Sequence, residues 1–365
     1  MPLPETFGET KRLALFAYVA LRTPSAISLE EIFDSFQKDH AKLAEALSHY
    51  RTQCSSRLAR RFFQSGLPAR GAYRSLTDYA RTTNGLGLVA AETRGGSTVF
   101  KPNWLTITLR SLRNVSQYEA LDFELPIPFK LLMADQLFTR DTILLGALLS
   151  SIKKAEERGL TLSNLRREIT LDYVSMAHEY MIRELTSDRR TSEGSQTANR
   201  VDFFARNLRL LRAGEPASPG LRHPLEARLQ WLVDLRFIDL TLLCRDERIH
   251  LSPFLENYSI KQGLLASDER DKTLVAYARY LKVIFGEEAS KIDLPSEVGL
   301  LAEHSVALLR SIYGELVPTD AVIYMTKILA ALMVEKPLIG NIVLEELSRK
   351  HKIYRDWRGS GAFVG

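Results

Sequence analysis

Cysteine is scarce in this sequence, because only two of its 365 residues, Cys54 and Cys244, are cysteines. Their positions make neither a metal-binding spacing nor the dense disulfide framework that staples small secreted proteins. The sequence therefore favours a reducing compartment and a cytoplasmic location.

Long apolar runs are also missing, since none reaches the roughly twenty residues that a membrane-spanning helix needs. The apolar stretch Leu13–Leu21 follows two cations, as the core of a signal peptide would. Two glutamates just before it cancel those cations, however, and Arg22 interrupts the region before any cleavage site. We expect a buried first helix here and no membrane partner.

Motifs for catalysis or cofactor binding are absent as well. The sequence contains no phosphate-binding loop, no dinucleotide fingerprint and no His-Glu-x-x-His pair, and its seven histidines are scattered. A restriction-type nuclease would need acids and a lysine that gather a cation and an attacking water. Glu9 with Lys11 lacks a strand, and prolines separate Asp122 and Glu124 from Lys130. We expect no catalysis, no metal and no small-molecule cofactor.

Positive charge, in contrast, is concentrated in one stretch, from Arg51 to Arg113. This stretch holds eleven lysines or arginines and two acids, which gives a local net charge of +9. The whole chain carries only +5, so the remaining residues sum to −4. The basic character of the protein is therefore a local feature, as expected of a surface that meets a polyanion.

The end of the basic stretch has a recognisable order of elements. Residues 70–81 predict a short helix with Leu76 and Tyr79 on one side and Arg74 and Arg81 on the other. Gly85 ends this helix. An extended run, a polar hairpin tip and a returning strand then follow, at residues 86–91, 92–97 and 98–101.

This order resembles the third helix and wing of a winged helix-turn-helix domain. The resemblance implies that the helix enters the major groove of DNA and that the wing touches phosphate or the minor groove. The candidate DNA contacts are the basic residues of the region: Arg57, Arg60, Arg61, Arg70, Arg74, Arg81, Arg94 and Lys101. A basic helix face that is merely solvated is the alternative.

Residues 141–258 predict a second copy of this order. Asp141 is a plausible N-cap for its first helix, and an extended run, Phe237–Leu243, precedes a tip with two cations and two acids. A balanced tip does not attract DNA and suits a protein contact instead. We expect Trp231, Arg245 and Arg248 to bind a partner, although a tryptophan flanked by leucines is more often a core residue.

The sequence thus predicts a mainly α protein with small β-hairpin wings. Its expected parts are a winged-helix domain at 1–114, a connector at 115–140, a second winged helix at 141–258 and a C-terminal helical domain at 259–365. The expected function is DNA binding without catalysis, as a subunit of a larger bacterial complex for defence, mobile elements or chromosome handling. The alternatives are an adaptor that binds partner subunits or a second copy of itself and, third, a nuclease subunit.

Overall fold

The protein is mainly helical. The computed structural model describes residues 12–52, 54–64, 67–116, 118–119, 121–187, 194–256, 267–286, 294–338, 340–355 and 362–365. Every helix within these ranges is too short or too polar to cross a membrane. The mainly α class expected from the sequence is confirmed, because the described elements are sixteen helices and six short strands.

The helices of the described residues are, in chain order, α1 (Leu13–Leu21), α2 (Leu29–Thr52), α3 (Arg57–Gln64), α4 (Tyr73–Gly85), α5 (Trp104–Ser116), α6 (Ile127–Arg140), α7 (Thr142–Glu156), α8 (Leu165–Ser187), α9 (Gly194–Arg212), α10 (Pro219–Asp234), α11 (Leu240–Asp246), α12 (Pro253–Glu256), α13 (Ser267–Ile284), α14 (Val298–Tyr313), α15 (Thr319–Met333) and α16 (Gly340–Lys350). The strands are β1 (Ile27–Ser28), β2 (Ala90–Arg94), β3 (Ser97–Lys101), β4 (Val317–Pro318), β5 (Ile353–Arg355) and β6 (Ala362–Val364).

The chain divides into two compact units that are each built from three separate segments. Unit 1 consists of Met1–Leu15, Phe36–Leu86 and Leu137–Leu264. Unit 2 consists of Phe16–Ser35, Gly87–Gln136 and Leu265–Gly365. The helices α1, α2 and α6 each contribute residues to both units.

The first sheet lies in unit 2 and has the antiparallel order β1-β3-β2. Strands β2 and β3 form the hairpin that the sequence predicts, with Arg94 opposite Ser97. Gly95 and Gly96 make its turn with φ angles of +57° and +84°. Two consecutive positive φ angles match the right-handed twist of a tight hairpin, and glycine adopts them without steric cost.

A second sheet of three strands, in the order β4-β6-β5, also lies in unit 2. Val317 pairs with Val364, and Tyr354 pairs with Phe363. The expectation that the C-terminal region contains only helices is wrong at this point. Strands of two or three residues are too short to show the alternation by which a sequence reveals a strand.

The entry to α2 follows the sequence pattern closely. Ser28 precedes the helix, and its hydroxyl accepts a hydrogen bond from the Glu31 backbone N–H at 3.2 Å. The Glu31 carboxylate in turn accepts from the Ser28 N–H at 2.7 Å. This reciprocal pair satisfies two backbone donors at the helix start.

Two segments that the sequence did not predict as helices are helical. Residues 127–140, expected within a connector, form the buried helix α6, because Pro128 lies in its first turn, where no intrahelical N–H bond is lost. Residues 240–246 form α11, since Asp239 caps it by accepting from the Leu242 N–H. An apolar run alone does not distinguish a short helix from a strand.

The strand pairing expected for the second winged helix exists only as isolated bridges in unit 1. Thr161 pairs with Arg248, and Ile238 pairs with Leu251, both antiparallel. The segment between residues 238 and 248 is α11 with its flanking residues, in place of the expected hairpin tip. Because residue 248 pairs with residue 161 and residue 251 pairs with residue 238, the segment 248–251 lies between the other two segments.

The two cysteines are joined, contrary to expectation. Cys54 and Cys244 form a disulfide in unit 1, with their Cα atoms 4.4 Å apart. Their separation in the chain hid this pairing from the sequence argument. The inference of a reducing compartment therefore loses its basis.

The core of unit 1 contains a buried ion pair between Arg228 and Asp141. The Arg228 guanidinium donates from Nε and Nη2 to the two carboxylate oxygens of Asp141, at 2.6 and 2.8 Å. Both side chains are almost fully buried, and the guanidinium lies over the Trp231 ring at 5.5 Å. Asp141 is the N-cap residue of α7, as expected, but its carboxylate accepts from Arg228 and not from a backbone N–H of the helix. The pair ties the start of α7 to the middle of α10.

We predict that Asp141→Leu destabilises the protein by about 3–5 kcal/mol, because it removes the carboxylate from a buried guanidinium. Adding Arg228→Met should recover most of this loss, since an apolar pair of similar volume carries no charge to desolvate. Urea unfolding followed by circular dichroism measures both changes.

The matched control is Glu226→Ala, which also lies on α10 and removes the ion pair with Arg166. Because the Arg166 side chain is 56% exposed, this change should cost less than about 1 kcal/mol. A double variant as unstable as Asp141→Leu alone would contradict the assignment of the loss to an uncompensated charge.

Candidate nucleic-acid interface

Six of the eight candidate DNA contacts lie on consecutive elements of unit 1, and each has an exposed side chain: Arg57, Arg60, Arg61, Arg70, Arg74 and Arg81. The other two, Arg94 and Lys101, lie on the hairpin of unit 2. The candidates therefore fall into two sets with different local surroundings.

Helix α3 carries three of these arginines on a single turn. Ser56 caps it by accepting a hydrogen bond from the Ala59 N–H at 3.1 Å. Ala59 is fully buried, whereas Arg57, Arg60 and Arg61 are exposed. Residues three and four apart lie side by side on a helix, so the three guanidinium groups share one face.

Helix α4 repeats this separation of apolar and cationic faces over three turns. Leu76, Tyr79 and Ala80 are fully buried, and the Tyr79 hydroxyl accepts a hydrogen bond from the Arg12 N–H at 3.1 Å. Arg74 and Arg81 are exposed and seven residues apart, which places them two turns apart on the same face. The predicted basic helix is confirmed as a helix.

This set of arginines takes part in no ion pair that the structure describes, although Asp78 lies one helical turn from both Arg74 and Arg81. Among the residues that the structure describes, none of the six arginines forms an ion pair. Arg60 donates only to the backbone carbonyls of Ser55 and Ser56, at 3.3 and 3.4 Å. Six exposed cations that form no ion pair among the described residues attract polyanions.

The hairpin of unit 2 is different, because one acid serves both of its cations. Glu92 forms ion pairs with Lys101 and, at 3.1 Å, with Arg94. The hydrogen bond from Lys101 lowers the pKa of the Glu92 carboxyl, so this group is ionised at neutral pH. The sequence argument missed this role of Glu92. The position of Glu92 two residues before Arg94, on the same face of the strand, is the signal from which this ion pair could have been predicted.

The residues expected to bind a partner are not brought together on an exposed face. Trp231 is fully buried beneath Arg228, so it is a core residue and cannot anchor a partner. The polar residues Arg228, Gln230 and Asp234 of the same helix, α10, are buried as well. The sequence does not show whether a polar side chain on a helix has a buried partner, so the burial of these three residues could not be predicted from it.

The other two partner candidates remain at the surface of unit 1. Arg245 lies in the last turn of α11 and pairs with Asp246 at 2.8 Å. This contact raises the pKa of the guanidinium and lowers the pKa of the Asp246 carboxyl. Arg248 is exposed beside Thr161. Their charges are locally balanced, as the sequence indicated.

The described residues considered for a nuclease site do not form a group that could hold a metal ion. Lys130 is buried, bonds Glu124 at 2.5 Å and lies 5.3 Å from the centre of the Phe285 ring. Burial and the nearby Glu119 raise the pKa of the Asp122 carboxyl. Within the described ranges, no three histidines, cysteines or acids are placed to hold a cation. Glu9 and Lys11 lie outside those ranges.

Comparison of the chain with protein families, with curated proteins and with solved structures finds no match. Its function therefore has to be inferred from its own residues.

Proposed function

We propose that this protein binds DNA without catalysis, through the exposed arginines of α3, α4 and the turn before α4. The observation that carries the proposal is the absence of ion pairs at these six arginines among the described residues. Backbone phosphates supply the missing counter-charge, and release of condensed cations from DNA drives the association. Such contacts fix position on the duplex and carry little sequence information.

The order of elements along the chain supports a winged-helix architecture. Helix α1, strand β1, helices α2 to α4 and the β2–β3 hairpin follow one another, and the strand order is β1-β3-β2. Helix α14, β4, α15, α16 and the strands β5 and β6 follow the same order with one helix fewer before the last two strands, and their sheet has the order β4-β6-β5. The second copy is thus proposed at residues 298–364. Residues 141–258, where the sequence predicted the second copy, are joined by the bridges of 161 with 248 and 238 with 251, and we propose a less regular copy there.

Protein binding is a second candidate function, favoured by the surface of α16. This helix corresponds in order to α4, yet it exposes Ile342 and Leu344, at 44% and 36%, together with Glu345. An acid and two apolar side chains disfavour a phosphate contact and suit the edge of a protein interface. We propose that α16 contacts a partner subunit of a larger complex.

We predict that Arg70→Ala, Arg74→Ala and Arg81→Ala together weaken DNA binding and flatten its salt dependence. Each lost phosphate contact should reduce the slope of log K against log salt by about 0.9. Fluorescence anisotropy with labelled duplex DNA at several salt concentrations measures the slope. Adding Mg²⁺ with a cleavage readout tests the nuclease alternative in the same experiment.

The control variant replaces three arginines that the same unit pairs with acids, namely Arg158, Arg167 and Arg183. It changes the net charge equally, but the slope should stay close to that of the wild type. Equal losses in the two variants would mean that DNA responds only to total charge, and the α3–α4 surface would no longer be the proposed site.

We also predict that Glu92→Gln strengthens DNA binding, because it frees Lys101 and Arg94 to meet phosphates. The salt slope should steepen by about 0.9 for each cation that gains a contact. Glu179→Gln is the control, since it removes an exposed acid paired with Arg183 and leaves the hairpin unchanged. Equal effects of the two changes would exclude the hairpin from the DNA contact.

For α16, Ile342→Ser with Leu344→Ser should leave DNA affinity unchanged and abolish binding of the partner or of a second copy. Light scattering after size exclusion tests self-association directly. A loss of DNA affinity instead would assign this helix to the DNA surface.

A further inference from the structure

The only two cysteines of the chain meet at the start of the arginine-bearing helix α3. Cys54 lies three residues before the helix, and its partner Cys244 lies in α11. Both are buried, with exposures of 4% and 6%. The disulfide therefore joins two segments of unit 1 that are remote in sequence, at the base of the proposed DNA-binding face.

Hydrogen bonds converge on the same point. The Ser56 N–H and the Ser55 hydroxyl both donate to the Cys244 carbonyl, at 3.0 and 3.2 Å. The Ser56 hydroxyl donates to the carboxylate of Glu247 and caps α3 through the Ala59 N–H. The covalent link, the helix cap and the attachment to α11 thus occupy three consecutive residues.

Helix α3 depends on this attachment for its order. It spans eight residues, and helices of that length are not stable by themselves in water. The Phe62 carbonyl of α3 also accepts a hydrogen bond from the Gln230 side chain at 3.1 Å. The residues before the helix therefore contribute to how firmly Arg57, Arg60 and Arg61 are held.

We infer that the Cys54–Cys244 disulfide is a reversible redox clamp that orders α3. The oxidised form holds the three arginines in place, and the reduced form releases the helix. Its effect on DNA affinity rests on the proposed function, whereas its effect on the order of α3 does not.

The switching chemistry is exchange with a low-molecular-weight thiol of the glutathione class. One thiolate attacks a sulfur of the disulfide, forms a mixed disulfide and releases the other cysteine as a thiolate, which takes up a proton. A second thiol then attacks the mixed disulfide and frees the remaining cysteine. In sum, two thiols are oxidised to one disulfide, and two electrons and two protons reach Cys54 and Cys244.

The test compares the full chain after incubation with reduced or with oxidised glutathione. Alkylation and mass spectrometry should find two labelled cysteines in the first sample and none in the second. Amide hydrogen exchange of residues 57–64 should be about tenfold faster in the reduced protein, because local opening no longer has to work against the link. The salt slope of DNA binding should fall by up to about 2.7, the loss of three phosphate contacts.

A variant with Cys54→Ser and Cys244→Ser is the control and should behave as the reduced protein in both samples. If this variant fails to fold, the reduced wild type supplies the same comparison. Faster exchange with unchanged DNA binding would uphold the clamp and remove α3 from the DNA surface. Equal exchange in the two samples, or no labelling after native incubation with reduced glutathione, would overturn the clamp.

Discussion

The buried pair of Arg228 and Asp141 is the constraint on which unit 1 depends. Two charges inside a protein are tolerated only when each satisfies the other with good geometry, and this pair makes two parallel hydrogen bonds. A guanidinium fork fixes both distance and orientation, so it sets the register of α10 against the start of α7. Trp231 packs beneath the guanidinium, and the leucines around it complete the core.

A second internal pair extends the same principle. Arg12 bonds Asp234 at 2.8 Å, and the other oxygen of that carboxylate accepts from the Leu13 N–H. Buried acids of unit 1 thus pair with buried arginines, while half-buried acids such as Glu226 and Asp172 pair with exposed arginines and lysines of other helices. The arginines of α3 and α4 form no ion pair with any described acid. The local excess of positive charge seen in the sequence is therefore present in the folded protein as well.

Local patterns in the sequence predict local structure well here. The alternation of Leu76 and Tyr79 with Arg74 and Arg81 predicts α4, and the glycine pair at residues 95 and 96 predicts the hairpin. In both cases the deciding interactions lie within a few residues of one another. The candidate surface on α3 and α4 could be proposed from sequence for the same reason.

Long-range pairings are what the sequence could not show. Asp141 looks like a helix cap because its neighbours are visible, whereas its true partner lies on another helix far along the chain. The disulfide and the burial of Trp231 are hidden in the same way. Strands β4 to β6 could not be predicted either, because two or three residues show no alternation of their own and are stable only through pairing with distant strands.

The arginine cluster on α3 has a cost that the fold can bear. Like charges three or four residues apart on a helix destabilise it by about 0.2–0.5 kcal/mol for each pair. Arg57 makes two such pairs, with Arg60 and Arg61, so the total stays below about 1 kcal/mol, against the roughly 5–15 kcal/mol that hold a domain folded. Phosphates bound at this face would turn the same repulsion into attraction. The small cost of the cluster is thus compatible with the proposed binding of a polyanion.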